Sequence, residues 1–304
     1  MRKIVVTGAS GFVGRHVLRL VPDAISVVRS KAQRLDSIFV PNLDDSVPWK
    51  ILLGENIDAI IHLAGLAHGH FFSDDDYYKV NVEGTLHLAE EAAKVGVTRF
   101  VFVSSIGVNG RSTSIRPFNV SSEEMPHNAY VRSKYDAEVG LKKIADETGL
   151  EVVIVRPTLV YGSEAPGNFG MLTKLVNKLP FLPFGLTNNR RDFIAVQNLA
   201  DLLVTCASHP DAAGHTFLAN DGETVSIKQF TNAIAEGLGK KVIQLPVPVS
   251  VMRLLGKLTG KSAMIEQLYG NLEVDSSNIK EVLGWTPPLT MKQAMSTLCD
   301  SGVK

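Results

Sequence analysis

Tyr130 and Lys134 stand four residues apart in Asn128-Ala129-Tyr130-Val131-Arg132-Ser133-Lys134, a spacing that sets both side chains on one face of a helix. A phenol ionises near pH ~10, and a neighbouring positive charge lowers that value until the phenol can exchange a proton near neutrality. The run Phe100-Val101-Phe102-Val103-Ser104-Ser105 ends in two hydroxyls. Ser105 is expected to polarise a substrate oxygen, with Ser104 as the competitor for that role and a turn cap as the bland reading of both.

Something must hold the reacting partner beside these groups. Thr7-Gly8-Ala9-Ser10-Gly11-Phe12-Val13-Gly14 is G-x-x-G-x-x-G, directly after an apolar run and leading into a helix that starts near Phe12. Gly8, Gly11 and Gly14 suit a tight turn, a close approach of backbone to pyrophosphate and close strand–helix packing. The backbone N–H groups around Ser10, Phe12 and Val13, with the positive end of the helix dipole, then stabilise the phosphates. A turn that merely joins strand to helix is the alternative, and the position after the first strand favours the dinucleotide. An oxidised nicotinamide would add its charge to that of Lys134, which can also bond the nicotinamide ribose. The second strand ends at Arg29-Ser30, where an NAD-preferring site usually carries an acid. A guanidinium there can grip a 2′-phosphate, with Ser30, Lys31 and Arg34 close by, so NADP(H) is favoured and NAD remains possible. A solvated basic loop is the competing reading of Arg29.

The elements that position these residues follow from periodicity. Lys3–Thr7, Ala24–Val28, Ala59–Leu63, Phe100–Ser104 and Glu151–Arg156 read as strands whose continuous apolar character implies burial on both faces. Gly14–Val21, Val80–Val95 and Ala129–Thr148 carry helical spacing between them. The alternation predicts an α/β chain with a Rossmann-type, doubly wound parallel sheet and a ligand crevice at the carboxyl ends of its strands. After Arg156-Pro157 the glycines and prolines multiply around one helix near Met171–Leu179, which reads as a lid or lobe. Phe193–Val204 restores a short strand and a helix, and short helices follow from Ile227. The expected division is a dinucleotide-binding domain of residues 1–164 with 190–219, and a smaller, mostly helical substrate lobe of 165–189 with 220–304. The stretch Val249–Leu258 is amphipathic and basic, and reads as a packed surface helix rather than a membrane contact.

Composition narrows the classes. Thirty-one basic and 31 acidic side chains cancel among 304 residues, so no global field attracts nucleic acid or an anionic membrane. Cys206 and Cys299 are too few and too far apart for a disulfide framework or a metal site, which fits a reducing cytoplasm. The N-terminal run is too short for a signal peptide, and no run is long enough for membrane insertion.

Taken together, these motifs resemble the extended short-chain dehydrogenase/reductase family, the nucleotide-sugar epimerases, dehydratases and reductases. The glycine loop, His62-Leu63-Ala64-Gly65, Asn81-Val82-Glu83-Gly84-Thr85, Ser104-Ser105, Tyr130 with Lys134, Arg156-Pro157-Thr158-Leu159-Val160-Tyr161-Gly162 and Arg191-Asp192-Phe193-Ile194-Ala195-Val196 carry the likeness over nearly the whole chain. The resemblance implies a catalytic trio of Ser105, Tyr130 and Lys134. It implies dinucleotide contacts from Leu63, Ala64, Gly65 and Pro157, and a UDP-sugar diphosphate held by Asn168 and Arg191; a guanidinium suits a phosphate by charge and fork geometry. Three positions depart from the family pattern: Arg29 replaces the acid after strand two, Asn42-Leu43 replaces an adenine-contacting Asp-Leu pair, and Gln197-Asn198 replaces a frequent Asp-Asp. The leading expectation is NADP(H)-dependent C4 reduction of a UDP-4-keto-hexose, such as a 6-deoxyhexosamine for surface polysaccharide. A UDP-hexose 4-epimerase with tightly bound NAD is the alternative, and a non-catalytic NADP sensor, or a steroid or flavonoid ketone reductase, stands behind it. Helices of this fold often pair into homodimers.

Overall fold

The computed structural model describes residues 3–29, 37–54, 56–67 and 72–299. Ser30, Lys31 and Arg34, expected beside a 2′-phosphate, lie outside those residues. The chain runs β1 (Ile4–Thr7), α1 (Phe12–Leu20), β2 (Ile25–Val28), β3 (Ser37–Phe39), α2 (Trp49–Leu53), β4 (Ala59–His62), α3 (Asp74–Tyr78), α4 (Gly84–Lys94), β5 (Arg99–Val103), α5 (Ala129–Thr148) and β6 (Glu151–Pro157). It continues through β7 (Leu159–Tyr161), α6 (Gly167–Lys178), β8 (Phe181–Leu182), β9 (Phe193–Ala195), α7 (Val196–Ser208), β10 (Thr216–Ala219), α8 (Ile227–Gly237), β11 (Ile243–Gln244), α9 (Val249–Leu258), α10 (Ser262–Tyr269), α11 (Ser277–Leu283) and α12 (Met291–Ser296).

Seven strands form one parallel sheet in the order β10-β6-β5-β4-β1-β2-β3. Successive residues of a strand face opposite sides, and here both sides are covered. Ile4, Val6, Ile61, Val101 and Val153 point into a layer with α1 and α7, while Val5, Ile60, Phe100, Phe102 and Ile154 point into a layer with α4 and α5. That two-sided burial is why the strands read as unbroken apolar runs. The chain winds outward from β1 to β3 and then returns to β4 on the other side of β1. The switch point therefore lies between the carboxyl ends of β1 and β4, beside Gly8 and Leu63. A third apolar cluster joins α6, α8, α10 and α12 around Phe169, Phe230, Ile265 and Met295, whereas Ile279 and Leu283 of α11 return to the sheet layer.

The helix predicted over Val80–Val95 is interrupted. A capping box at Ser73 starts α3, a π-helical turn occupies Lys79–Glu83, and α4 begins at Gly84. A Cβ on Gly84 would come within 2.6 Å of the Leu43 carbonyl oxygen, so α4 approaches the chain after β3 at a distance that a side chain would prevent. Such π-turns often mark functional sites, and this one carries Asn81.

His62 pins the switch point. Thr7 Oγ1 accepts the N–H groups of Leu63 and Ala64, each at 3.2 Å, and so donates its own proton to His62 Nδ1 at 2.8 Å. Nε2 then carries the ring proton and donates to Thr85 Oγ1 at 3.0 Å. Full burial, and secondarily the Lys134 charge, hold this imidazole down to about 3, so it is neutral in the folded chain. The unfolded chain takes up the proton first, near pH 6.5, so stability is complete above that value and is lost as pH falls toward 3. By pH ~5 the loss should reach about 2 kcal/mol. Denaturant midpoints at pH 7 and 5 should show a smaller drop for His62→Gln than for the parent; equal drops would deny His62 this role.

Candidate active site

At the switch point the glycine loop closes on the chain after β4. Gly8 has φ +66°, and a Cβ there would lie 2.8 Å from the Ala64 nitrogen; one on Gly14 would lie 2.3 Å from the Gly8 oxygen. Three backbones thus meet where only hydrogen fits. Gly11, the N-cap of α1, offers no side chain to the first turn, which leaves the N–H groups of Phe12, Val13 and Gly14 without capping partners in that helix. Those donors and that cradle fit a dinucleotide pyrophosphate. The ring of Phe12 and the side chain of Val13 turn away into apolar clusters, so these two residues would contribute backbone only. Arg29 is exposed just past β2 and Asn42 is exposed, while Leu43 is buried in the α4–α5 layer. Pro157 is buried at the carboxyl end of β6, paired with Ala219 of β10.

The trio assembles around α5. Asn128 caps that helix through Val131 N–H at 2.9 Å. One turn in, Lys134 is buried, donates to the Val103 carbonyl at the end of β5 (3.0 Å) and sits 4.7 Å above the Phe102 ring. Gly65 approaches it from the β4 side: a Cβ there would lie 3.5 Å from Nζ. Tyr130 is half-buried, its ring edge-on to Tyr77 at 6.1 Å. Ser105 follows β5, half-buried, and its hydroxyl accepts Gly107 N–H at 3.1 Å; a Cβ on Gly107 would touch both Ser105 Oγ and the Val131 side chain.

Burial sets the electrostatics. It pushes the Tyr130 phenol up to about 12, with Tyr77 adding to the rise, and the Lys134 ammonium down to about 8, partly offset by Glu138. The phenol is thus raised in the protein alone, and the expected lowering would fall to Lys134 together with an oxidised nicotinamide. The ammonium is directed at the Val103 carbonyl and the Phe102 face, and desolvation outweighs any field it exerts on Tyr130.

The two serines differ in their partners, which favours Ser105 for the reaction. Ser104 is buried and its hydroxyl donates to Glu138 Oε1. Glu138, one turn beyond Lys134 on α5, is paired with Arg156 of β6, and each is 1% exposed. Arg156 also donates to Asn109 Oδ1 at 3.1 Å and Glu124 Oε1 at 3.2 Å. The Ser104 hydroxyl is committed to this buried network, which leaves Ser105 as the crevice hydroxyl. Ser105→Ala should therefore lower turnover by about 10²-fold, with about 1 kcal/mol of stability lost with the Gly107 N–H bond. Ser104→Ala should instead cost about 1–3 kcal/mol of stability. Equal turnover losses in steady-state assays would put both serines in one role.

Asn81 is a site residue whose part the sequence reading did not assign. Its Oδ1 accepts Leu66 N–H at 2.7 Å, and its Nδ2 donates to the Leu66 carbonyl at 2.9 Å and to Ser133 Oγ at 3.0 Å. Ser133 in turn donates to the Tyr130 carbonyl at 2.8 Å. One buried amide therefore joins the loop after Gly65 to the helical turn that carries Tyr130 and Lys134.

The substrate candidates Arg191 and Asn168 belong to other elements than the trio. Arg191 is buried two residues before β9, bridged to Val225 and Leu272. Its backbone N–H donates to Val225, and its guanidinium donates to the Gly270 carbonyl at 3.0 Å. Desolvation lowers it to about 10, partly offset by the adjacent Asp192 carboxylate, and among the described residues it forms no ion pair. Asn168 is half-buried in the first turn of α6, a helix whose N-cap, Pro166, supplies no side-chain bond.

The model of the NAD-dependent epimerase/dehydratase family matches residues 4–221. The chain belongs to that family. A curated UDP-glucose 4-epimerase from Vibrio cholerae is 40% identical over 307 aligned residues, spanning 96% of this chain and 93% of that protein. The crystal structure of UDP-N-acetylglucosamine 4-epimerase from Bacillus cereus superposes with TM-score 0.80 at 18% identity, covering 98% of each chain. RMD from Pseudomonas aeruginosa, solved with NADPH, superposes with TM-score 0.74 at 22% identity and 99% coverage of each. This family member is an NAD(P)-dependent enzyme of the nucleotide-sugar branch. Of the activities that the sequence left open, it is the epimerase that the 40% identical relative is named for. Among the described residues, no helix is long and apolar enough to cross a membrane.

Proposed function

We propose that the chain is a UDP-hexose 4-epimerase that keeps one NAD through turnover. The observation that carries this reading is Arg191: a buried guanidinium that forms no ion pair among the described residues suits the diphosphate of a nucleotide sugar, in a chain 40% identical to a UDP-glucose 4-epimerase. Arg29 does not oppose NAD, since an exposed guanidinium can lie flat on an adenine ring as well as grip a 2′-phosphate.

The loop Gly8–Gly14, the chain at Leu63–Gly65, Pro157 and Lys134 would hold the dinucleotide, with Asn42 and Leu43 toward its adenine. When bound, the nicotinamide supplies reversible hydride exchange with C4 and, oxidised, a positive charge beside the phenol. Tyr130 takes the proton of the C4 hydroxyl and returns it to the same oxygen once the sugar has turned over. Ser105 donates a hydrogen bond to that oxygen while it is a carbonyl or alkoxide. Lys134 supplies a cation one helical turn from the phenol; the Val103 carbonyl holds its ammonium and the Glu138 charge favours its protonated form. Arg191 and Asn168 anchor the diphosphate, so that the sugar can rotate while the nucleotide stays. Purified protein with no added dinucleotide should interconvert UDP-galactose and UDP-glucose, and denaturation should release one equivalent of NAD. Stoichiometric NADPH consumption on a UDP-4-keto sugar, without interconversion, would overturn this reading in favour of the reductase.

A further inference from the structure

The sequence pattern of Val249–Leu258 reads as a packed surface helix, yet in the structure only one side of α9 is packed. Gly256 is buried against α10, where a Cβ would come within 2.8 Å of the Ile265 side chain, and Val249 and Met252 turn toward the lobe core. The opposite side carries Val251, Leu254, Leu255 and Leu258, at positions i, i+3, i+4 and i+7. These are 43%, 57%, 47% and 75% exposed, so four branched aliphatic side chains form a continuous stripe in water. Such a stripe is unusual on a soluble monomer and marks an interaction surface.

Charge indicates what covers it. From Lys240 to Ile265 the chain holds Lys240, Lys241, Arg253, Lys257 and Lys261 and not one carboxylate, although the whole chain is balanced at 31 basic against 31 acidic residues. Arg253 is bonded to Glu266 of α10 at 2.8 and 3.1 Å, while Lys257 and Lys261 are exposed and have no ion-pair partner among the described residues. A second apolar spot precedes α9 on the same chain: Phe181 and Ile243 are direct partners in the β8–β11 pair and are 50% and 58% exposed. The chain passes from there through Leu245-Pro246-Val247-Pro248 into the helix. An isologous contact with a second copy would bring like charges of this segment together, which disfavours self-association. An anionic surface that also accepts aliphatic side chains satisfies both features.

We propose that α9 docks the protein on an anionic lipid surface, with Val251, Leu254, Leu255 and Leu258 entering the headgroup boundary and Lys257 and Lys261 meeting lipid phosphates. The attachment is peripheral and reversible, because ten residues of helix bury little area. It does not depend on the epimerase reading, and the surface contains no residue of the catalytic trio.

The test is co-sedimentation of the full chain with vesicles of equal parts phosphatidylglycerol and phosphatidylcholine, and with vesicles of phosphatidylcholine alone. Partition should be stronger on the anionic vesicles and weaken as salt rises. It should fall about tenfold in Leu254→Ser/Leu258→Ser, and about fivefold for each charge removed in Lys257→Gln/Lys261→Gln. Turnover of soluble UDP-sugar in vesicle-free buffer should be unchanged in both variants, which keeps this test separate from that of the reaction. Absence of partition, or partition that neither variant weakens, would overturn the proposal. So would concentration-dependent self-association of the parent that Leu254→Ser/Leu258→Ser abolishes, since a second copy would then cover the stripe.

Discussion

Tyr130→Phe is expected to lower epimerase turnover by about 10³-fold, within the range of roughly 10²–10⁴ that a positioned proton-transfer group contributes. The substitution removes only the hydroxyl. The ring keeps its edge-on contact with Tyr77 and its place in the first turn of α5, so the fold and the dinucleotide content should be nearly unchanged. Because burial and Tyr77 hold the phenol up to about 12 in the protein alone, proton transfer near neutrality depends on the charge of the oxidised nicotinamide together with Lys134. Steady-state rates alongside the dinucleotide released on denaturation separate the two effects. Unimpaired turnover would remove Tyr130 from the reaction, and loss of the dinucleotide would give it a binding role instead.

The second large effect is on stability. Glu138→Leu should destabilise the chain by about 3–5 kcal/mol, because it leaves Arg156 at 1% exposure with its main counter-charge gone. Glu124 is half-buried and only partly compensates. Glu138→Leu/Arg156→Met should recover much of the loss, since two apolar residues need no pairing. The single variant should also slow turnover, through release of Ser104 and loss of the carboxylate that raises Lys134. Chemical denaturation of both variants checks this, and a single variant as stable as the parent would show that the network is dispensable.

The sheet was legible because its strands are buried on two faces, so β1, β2, β4, β5 and β6 stand out as apolar runs. Helix α5 was read to its end residues, since Asn128 caps it and Gly149 closes it in a left-handed conformation. Shorter elements escaped. β3 has three residues, and β8 and β11 have two each, too few for a period to register. At the break between α3 and α4, Gly84 lies against Leu43, a tertiary approach that no local pattern contains. Within the site, residue types and spacing pointed to the glycine loop, Tyr130 and Lys134, but the choice between Ser104 and Ser105 needed the positions of Glu138 and Arg156. Asn81 was quoted as part of a motif, yet its link from Leu66 to Ser133 spans three separate segments. The uncovered stripe of α9 was hidden for a related reason: periodicity reveals an apolar face but not whether anything lies against it.

The path of the C4 hydrogen tests the central claim most directly. UDP-galactose carrying deuterium at C4 should be converted, with no dinucleotide added, into UDP-glucose that retains the deuterium at C4, because the hydrogen leaves and returns within one bound complex. Deuterium appearing in free NADPH or NADH, or no conversion unless a reduced dinucleotide is supplied and consumed, would contradict an epimerase with a retained cofactor.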